Sequence, residues 1–198
     1  MASPESDSDL PAPFAYAVES VRAAVPRPEM EVVEISAPVG LAPFSIALAA
    51  DVRPTMHGID SVLGTGRFVL LYDASEPDAW GGPFRVVAYA QAPLEAEIGV
   101  DPFIAEVAWS WLIDALDARG ADYTAASGTA TKVLSAGFGE LAGQGDTAQL
   151  ELRASWSPVG PEIGQQVEAW CDLLCMLAGL PPSSDAVSML PHRRASRG

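Results

Sequence analysis

The sequence has little lysine, and its charge balance excludes a class of partners. Lys132 is the only lysine, and 26 acidic residues outnumber 11 basic ones, which gives a formal net charge of −15. Nucleic-acid binding depends largely on Lys and Arg side chains that displace condensed counterions, so an acidic chain binds phosphate backbones poorly. We therefore expect no direct contact with nucleic acid and none with anionic membranes.

Cysteine and histidine are equally scarce. Cys171 and Cys175 stand one helical turn apart, whereas a structural zinc site needs four ligands, and the second pair is absent. His57 lies in a segment of Pro, Gly and Asp, and His192 lies near the C-terminus. We expect no metal, no cofactor and no catalytic residue. Both thiols should be reduced, with Cys171 in the core as a small hydrophobe, while the exposure of Cys175 is left open.

Long apolar runs are also missing. No stretch of 18 apolar residues is present to span a membrane. The start, MASPESDSDLPAP, lacks the positive and apolar regions of a secretory signal. Because two cysteines also fit a reducing compartment, we expect a cytoplasmic protein.

The composition that remains is that of a folded chain. Of its 198 residues, 49% are hydrophobic and 19% are charged, as in ordinary globular proteins. Both ends lack periodic apolar positions. The sequence therefore predicts a disordered acidic N-terminal tail at 1–11, a single domain at 12–182 and a flexible C-terminal tail at 183–198.

Alternating apolar and polar residues predict a sheet with one solvated face. The last strand shows this most clearly, because Leu152 and Ala154 should point inward while Arg153 and Ser155 point outward. Two of the strands, 67–73 and 84–91, should form an antiparallel hairpin. The predicted strands are 31–35, 44–52, 67–73, 84–91, 127–139 and 149–156.

Apolar residues at helical spacing predict three helices, at 14–25, 101–119 and 163–177. The fold class is therefore α+β: a mainly antiparallel twisted sheet of five to six strands with three helices, in the order α-β(3-4)-α-β2-α. The apolar arc of the second helix contains Trp109 and Trp111 and covers more than half of its circumference. Such a helix contacts two neighbours, such as a sheet and either another helix or a second subunit.

Two glycine-rich segments look like phosphate loops but lack the required pattern. GTGRF at 64–68 precedes a strand and has no GxxxxGK spacing, and SGTATK at 127–132 has no second glycine before its lysine. We expect neither to bind phosphate as a loop of that type.

Several motifs resemble the actinobacterial family called domain of unknown function 3000. They are WSWL, SGTATK, FGEL, ELRASWSP and AWCDLLCMLAGLPP, within residues 12–182. The resemblance implies no activity, cofactor or catalytic residue. The element order is also similar to that of type III secretion chaperones and YbjN-like regulators, an analogy of fold alone.

Two functions remain open on the sequence. In the first, the chain is a non-catalytic protein-binding or adaptor module with an acidic surface, whose partner is a basic protein or a second copy docked at Trp109 and Trp111. In the second, it is a small-molecule-binding protein or enzyme. Arg85, Tyr89 and Arg153 would then supply polar contacts in a pocket between sheet and helices.

Overall fold

A computed structural model of the chain describes residues 10–53 and 62–181. Six strands form one antiparallel sheet in the order β1-β2-β3-β4-β6-β5. The elements are α1 (Ala12–Ala23), β1 (Met30–Ile35), β2 (Phe44–Val52), β3 (Gly64–Tyr72), β4 (Phe84–Leu94), α2 (Ala96–Gly99), α3 (Ile104–Ala118), β5 (Tyr123–Ser135), a 3₁₀ helix (Gly139–Gln144), β6 (Thr147–Pro158) and α4 (Gly164–Leu177).

The predicted α+β class and antiparallel sheet are confirmed, and so is the hairpin of β3 and β4. Two details of the prediction were wrong. A fourth helix, α2, was missed because four residues carry no helical period. The strand predicted at 127–139 runs instead over Tyr123–Ser135. It contains a bulge between Thr124 and Ser127, and Gly139, at φ 62°, starts the 3₁₀ helix.

The predicted tails at 1–11 and 183–198 lie outside the described residues, apart from Leu10 and Pro11. The same holds for His57 and His192. Among the helices of the described ranges, none is both long enough and apolar enough to cross a membrane.

One face of the sheet carries the helices. Helix α4 lies over β2, β3 and β4, α3 lies over β5 and β6, and α1 packs against α4. The side chains that point toward the helices are buried and mostly apolar, as the strand alternation requires. In β4 they are Phe84, Val86, Ala88, Ala90 and Ala92, and in β6 they are Ala148, Leu150, Leu152, Ala154 and Trp156.

The glycines of β3 serve helix packing. A Cβ at Gly66 would lie 2.7 Å from Cζ2 of Trp170 and 2.8 Å from Cδ1 of Leu174, closer than atoms can approach. Trp170 is fully buried, and its Nε1 donates a hydrogen bond of 3.2 Å to the backbone carbonyl of Tyr89. The absence of a side chain at Gly66 therefore lets the indole lie directly on the strands.

A buried polar contact fixes the other end of α4. Nε1 of Trp156 donates to Oε1 of Gln166 at 2.8 Å, and Nε2 of Gln166 donates to the carbonyl of Asp122 at 3.0 Å. Both groups of the Gln166 amide are satisfied, so its burial carries little desolvation cost. The pair joins β6, α4 and the segment before β5.

Replacing Trp170 with alanine should lower the free energy of unfolding by about 3–5 kcal/mol, since the change leaves a large cavity and removes the hydrogen bond to the Tyr89 carbonyl. Denaturant titration of both proteins measures the difference. The matched control is Val39→Ala, because Val39 is 99% exposed and should not change the midpoint. An unchanged midpoint for Trp170→Ala would contradict the packing described above.

Candidate functional site

Three of the side chains predicted for a site lie together on the face of the sheet opposite the helices, here called the open face. Arg85, Tyr89 and Arg153 all occupy outward positions of β4 and β6, where Tyr89 pairs with Arg153 in register. The expectation that they line a pocket between sheet and helices was wrong. Strand alternation sends them to the other face, and Val86 and Ala88 point toward the helices instead.

Arg85 ties three strands together. Its Nη1 donates to the carbonyl of Ala125 at 3.0 Å and to Oγ of Ser157 at 3.1 Å. Its Nη2 donates to Oγ of Ser155 at 2.6 Å and reaches Oγ of Ser127 at 3.5 Å. Ala125 belongs to the bulge of β5 and has φ 51°, so the guanidinium holds this strained turn in place.

The acceptors around Arg85 are all uncharged hydroxyl or carbonyl oxygens. Burial lowers the pKa of the Arg85 guanidinium below its usual value, yet an arginine stays protonated at neutral pH. Arg85 and Arg67 have no carboxylate at ion-pair distance within the described residues. By contrast, Arg119 binds Glu168 at 2.9 Å and Asp172 at 2.7 Å. Within the described residues, no carboxylate therefore compensates the positive charge of Arg85.

Tyr89 and Arg153 form a cation–π pair. The guanidinium carbon of Arg153 lies 5.5 Å from the centroid of the Tyr89 ring. Burial, and secondly the charge of Glu151, raises the pKa of the Tyr89 phenol, which is therefore neutral. The Arg153 side chain is 69% exposed and contacts Glu151 only at 3.6 Å. Its guanidinium is oriented by the ring and remains accessible.

A shallow depression of about 790 Å³ lies beside this pair. Its floor contains the side chain of Val87, which is 42% exposed, and its walls carry hydroxyls and one guanidinium but no carboxylate. The lining residues are Val87, Ala88, Tyr89, Ser127, Gly128, Thr129, Arg153, Ala154 and Ser155. This depression can accept a small group with an anionic end.

Trp109 and Trp111, the other two predicted residues, lie on the helical side of the sheet. Both are half-buried and pack against the core. A Cβ at Gly128 would lie 2.7 Å from Cζ3 of Trp109, so the indole rests on the backbone of β5. The five predicted residues therefore divide between two faces. Only Tyr89 and Arg153 are in contact, and Arg85 shares their face and contacts the neighbouring Ser155.

Cys171 and Cys175 are both buried and unbridged, which places both thiols in the core. Burial raises the pKa of each thiol, that of Cys175 to about 11 and that of Cys171 further. Sγ of Cys175 lies 3.5 Å from Sδ of Met30. Neither sulfur is a thiolate at neutral pH, so neither is an activated nucleophile.

Sequence reasoning missed an exposed apolar patch, defined by six side chains that are 43–83% exposed. They are Ile98, Val100, Phe103, Leu134, Phe138 and Leu141. Two segments supply them, 98–103 and 134–141, and these segments are in contact. A Cβ at Gly99 would lie 3.0 Å from Cδ2 of Leu134, and Nζ of Lys132 donates to the carbonyl of Asp101 at 2.8 Å.

Carboxylates are frequent in 95–106 and 131–147, the longer stretches of chain that contain these two segments. The acidic residues of 95–106 and 131–147 are all exposed, and none forms an ion pair within the described ranges. They are Glu95, Glu97, Asp101, Glu106, Glu140 and Asp146, against the single basic residue Lys132. These six carboxylates flank the apolar residues along the chain or lie between them, and they are here called the acidic rim.

The family match agrees with the resemblance seen in the motifs. A family model described as a protein of unknown function (DUF3000) matches residues 10–187. The chain therefore belongs to the DUF3000 family. Neither a curated protein nor a solved structure matches it.

The buried thiols predict an alkaline loss of stability. Their pKa is higher in the folded state than the value of about 8.5 in an unfolded chain. The buried neutral thiols contribute fully to stability below about pH 8.5, and this contribution is lost as pH rises through the folded-state pKa. The reason is that the unfolded chain releases these protons at a lower pH than the folded protein does. The free energy of unfolding should therefore fall from about pH 8.5 upward.

Denaturant titrations at pH 7.5, 9 and 10 measure this decline. The doubly substituted protein Cys171→Ala/Cys175→Ala should be less stable at neutral pH but should lose less stability as pH rises. Equal slopes in the two proteins would show that the thiols ionise as freely in the folded state as in the unfolded chain.

Proposed function

We propose that the protein is a non-catalytic protein-binding module that docks a basic, amphipathic segment of another protein on its apolar patch. The observation that carries the proposal is the exposure of six large apolar side chains on two segments in contact, with the acidic rim next to them along the chain. Contiguous apolar surface with a polar rim is typical of protein interaction sites.

The apolar centre would supply most of the binding free energy. Phe138 is 83% exposed and Phe103 is 63% exposed, and aromatic side chains of this kind are frequent anchors in interfaces. Covering an exposed Phe or Leu contributes about 1.5–3 kcal/mol before the entropic cost of association is subtracted. A segment that covers both phenylalanines and Leu134 would therefore bind measurably.

The acidic rim selects the charge of the partner. Six carboxylates and one lysine occupy 95–106 and 131–147, so Lys and Arg beside the apolar residues of a partner would find complementary charge. A second copy of this chain is disfavoured at the patch, because two acidic rims would then face each other. The net charge of −15 also attracts a basic partner at long range.

A homodimer through Trp109 and Trp111 is the competing arrangement. Both indoles are half-buried against their own chain, so they offer less uncovered area than Phe103 and Phe138.

We also propose that the protein is cytoplasmic and of actinobacterial origin. Its fold is proposed to be analogous to that of type III secretion chaperones and YbjN-like regulators. Two buried, unbridged cysteines support a reducing compartment.

The first test uses two fluorescein-labelled peptides, one of leucine and lysine and one with glutamate in place of each lysine. The full chain should bind the basic peptide in anisotropy titrations and bind the acidic one much more weakly. Phe138→Asp should weaken binding of the basic peptide by about tenfold, the loss expected for one anchor. The basic peptide should also associate with the protein more slowly as the salt concentration rises, because screening shortens the range of the electrostatic attraction.

Val39→Asp is the matched control, because it adds the same charge at another exposed apolar position. An added carboxylate by itself attracts a basic peptide and so cannot explain weaker binding. A loss of affinity in Phe138→Asp but not in Val39→Asp therefore reports the loss of the apolar contact. Reversal of Glu97 and Glu140 to lysine should weaken binding, whereas reversal of Glu19 and Glu162 should change it little. Equal effects of both pairs, or of both aspartate variants, would contradict docking at the patch.

A further inference from the structure

We propose that the depression on the open face binds a small oxyanion, a carboxylate or a phosphate, carried on a planar apolar group. This site is separate from the apolar patch and does not depend on the proposed function. It rests on the arrangement of charge across the open face, on the hydroxyls held by Arg85 and on the exposed floor at Val87.

The register of the strands arranges the charges of the open face in rows, with a contact between rows from Arg153 to Glu151 at 3.6 Å. Glu31 pairs with Asp51, and the same row continues through β3 and β4 to Glu151. The next row carries Arg67, Tyr89 and Arg153 side by side, and it contains no carboxylate. The guanidinium groups of Arg67 on β3 and Arg153 on β6 thus flank the phenol of Tyr89 on β4.

Arg85 adds a third positive charge behind the depression. Its hydrogen bonds go to the hydroxyls of Ser155 and Ser157 and to the carbonyl of Ala125, with Ser127 at 3.5 Å. None of these acceptors is charged. An anion in the depression would therefore be attracted by a cation that is partly shielded from water, where electrostatic interactions are stronger than in bulk solvent.

The serine hydroxyls also have a proton to donate. Ser155 accepts from Arg85, and its Oγ lies 3.3 Å from Oγ of Ser127. A hydroxyl has one proton, and the bond between the two serines uses only one of their two protons. At least one O–H is free to donate to an oxyanion, beside the exposed guanidinium of Arg153. Charge-assisted hydrogen bonds of this type are the stronger ones.

The remaining surface of the depression suits a planar apolar body. Val87 forms an exposed floor, and the ring of Tyr89 fixes Arg153 by the cation–π contact, which reduces the entropy lost when the guanidinium binds. A ligand with an aromatic ring and one oxyanion would thus contact the floor with its ring and the guanidinium and hydroxyls with its charged end.

The experiment titrates the full chain with benzoate, phenyl phosphate, inorganic phosphate and benzylamine at constant ionic strength. Binding is measured by the change in melting temperature and by ligand-detected NMR. Benzoate or phenyl phosphate should raise the melting temperature in proportion to occupancy. The tighter of the two identifies the oxyanion as carboxylate or phosphate. Inorganic phosphate should bind more weakly than phenyl phosphate, and benzylamine should not bind.

Arg153→Gln and the double variant Ser127→Ala/Ser155→Ala should each weaken binding by about tenfold. Arg22→Gln, which removes an arginine half-exposed elsewhere, is the matched control and should bind as the unchanged protein does. Arg153→Lys should restore part of the affinity, because it keeps the charge without the planar fork. Absence of binding by both aromatic oxyanions, or an equal loss in Arg22→Gln, would overturn the proposal.

Discussion

The contact between the Trp170 indole and Gly66 is the constraint on which the rest of the structure depends. Because Gly66 has no side chain, the indole lies on the strands and donates to the carbonyl of Tyr89. This contact holds α4 over the centre of the sheet. With α3 and α1 packed beside it, the helices cover one face, and the polar side chains of β4 and β6 are left on the other.

Separation of the two faces also separates charge. Near the apolar patch, the α2 end of the helical side carries carboxylates that form no ion pair with any residue the structure describes. The middle of the open face instead carries arginines without carboxylates in their row. A net charge of −15 therefore agrees with the sign of charge near the apolar patch but not with the row of arginines on the open face. The acidic rim favours a basic protein segment, and the arginines favour a small oxyanion, so the two proposals concern different ligands.

The sequence predicted the strands and long helices because hydrophobic periodicity reports directly which side chains are buried. The fully buried Trp170 lies in α4, which corresponds to the helix predicted at 163–177. The role of Gly66 could not be predicted, since it requires the position of α4 over β3. The apolar patch was missed because Phe103 and Phe138 belong to segments without periodicity that only the fold brings together. Arg85 and Ser155 meet through strand register, which alternation alone does not define.

Opposite signs of charge at the two surfaces decide which ligand each surface can bind, and one measurement reports them directly. Relaxation of protein protons by a cationic and an anionic paramagnetic cosolute of equal size gives the electrostatic potential near each residue. We predict that the anionic cosolute relaxes protons of Val87, Ser127 and Thr129 more than the cationic one does. The cationic cosolute should dominate at Phe103 and Phe138. A negative potential at both surfaces would contradict the account.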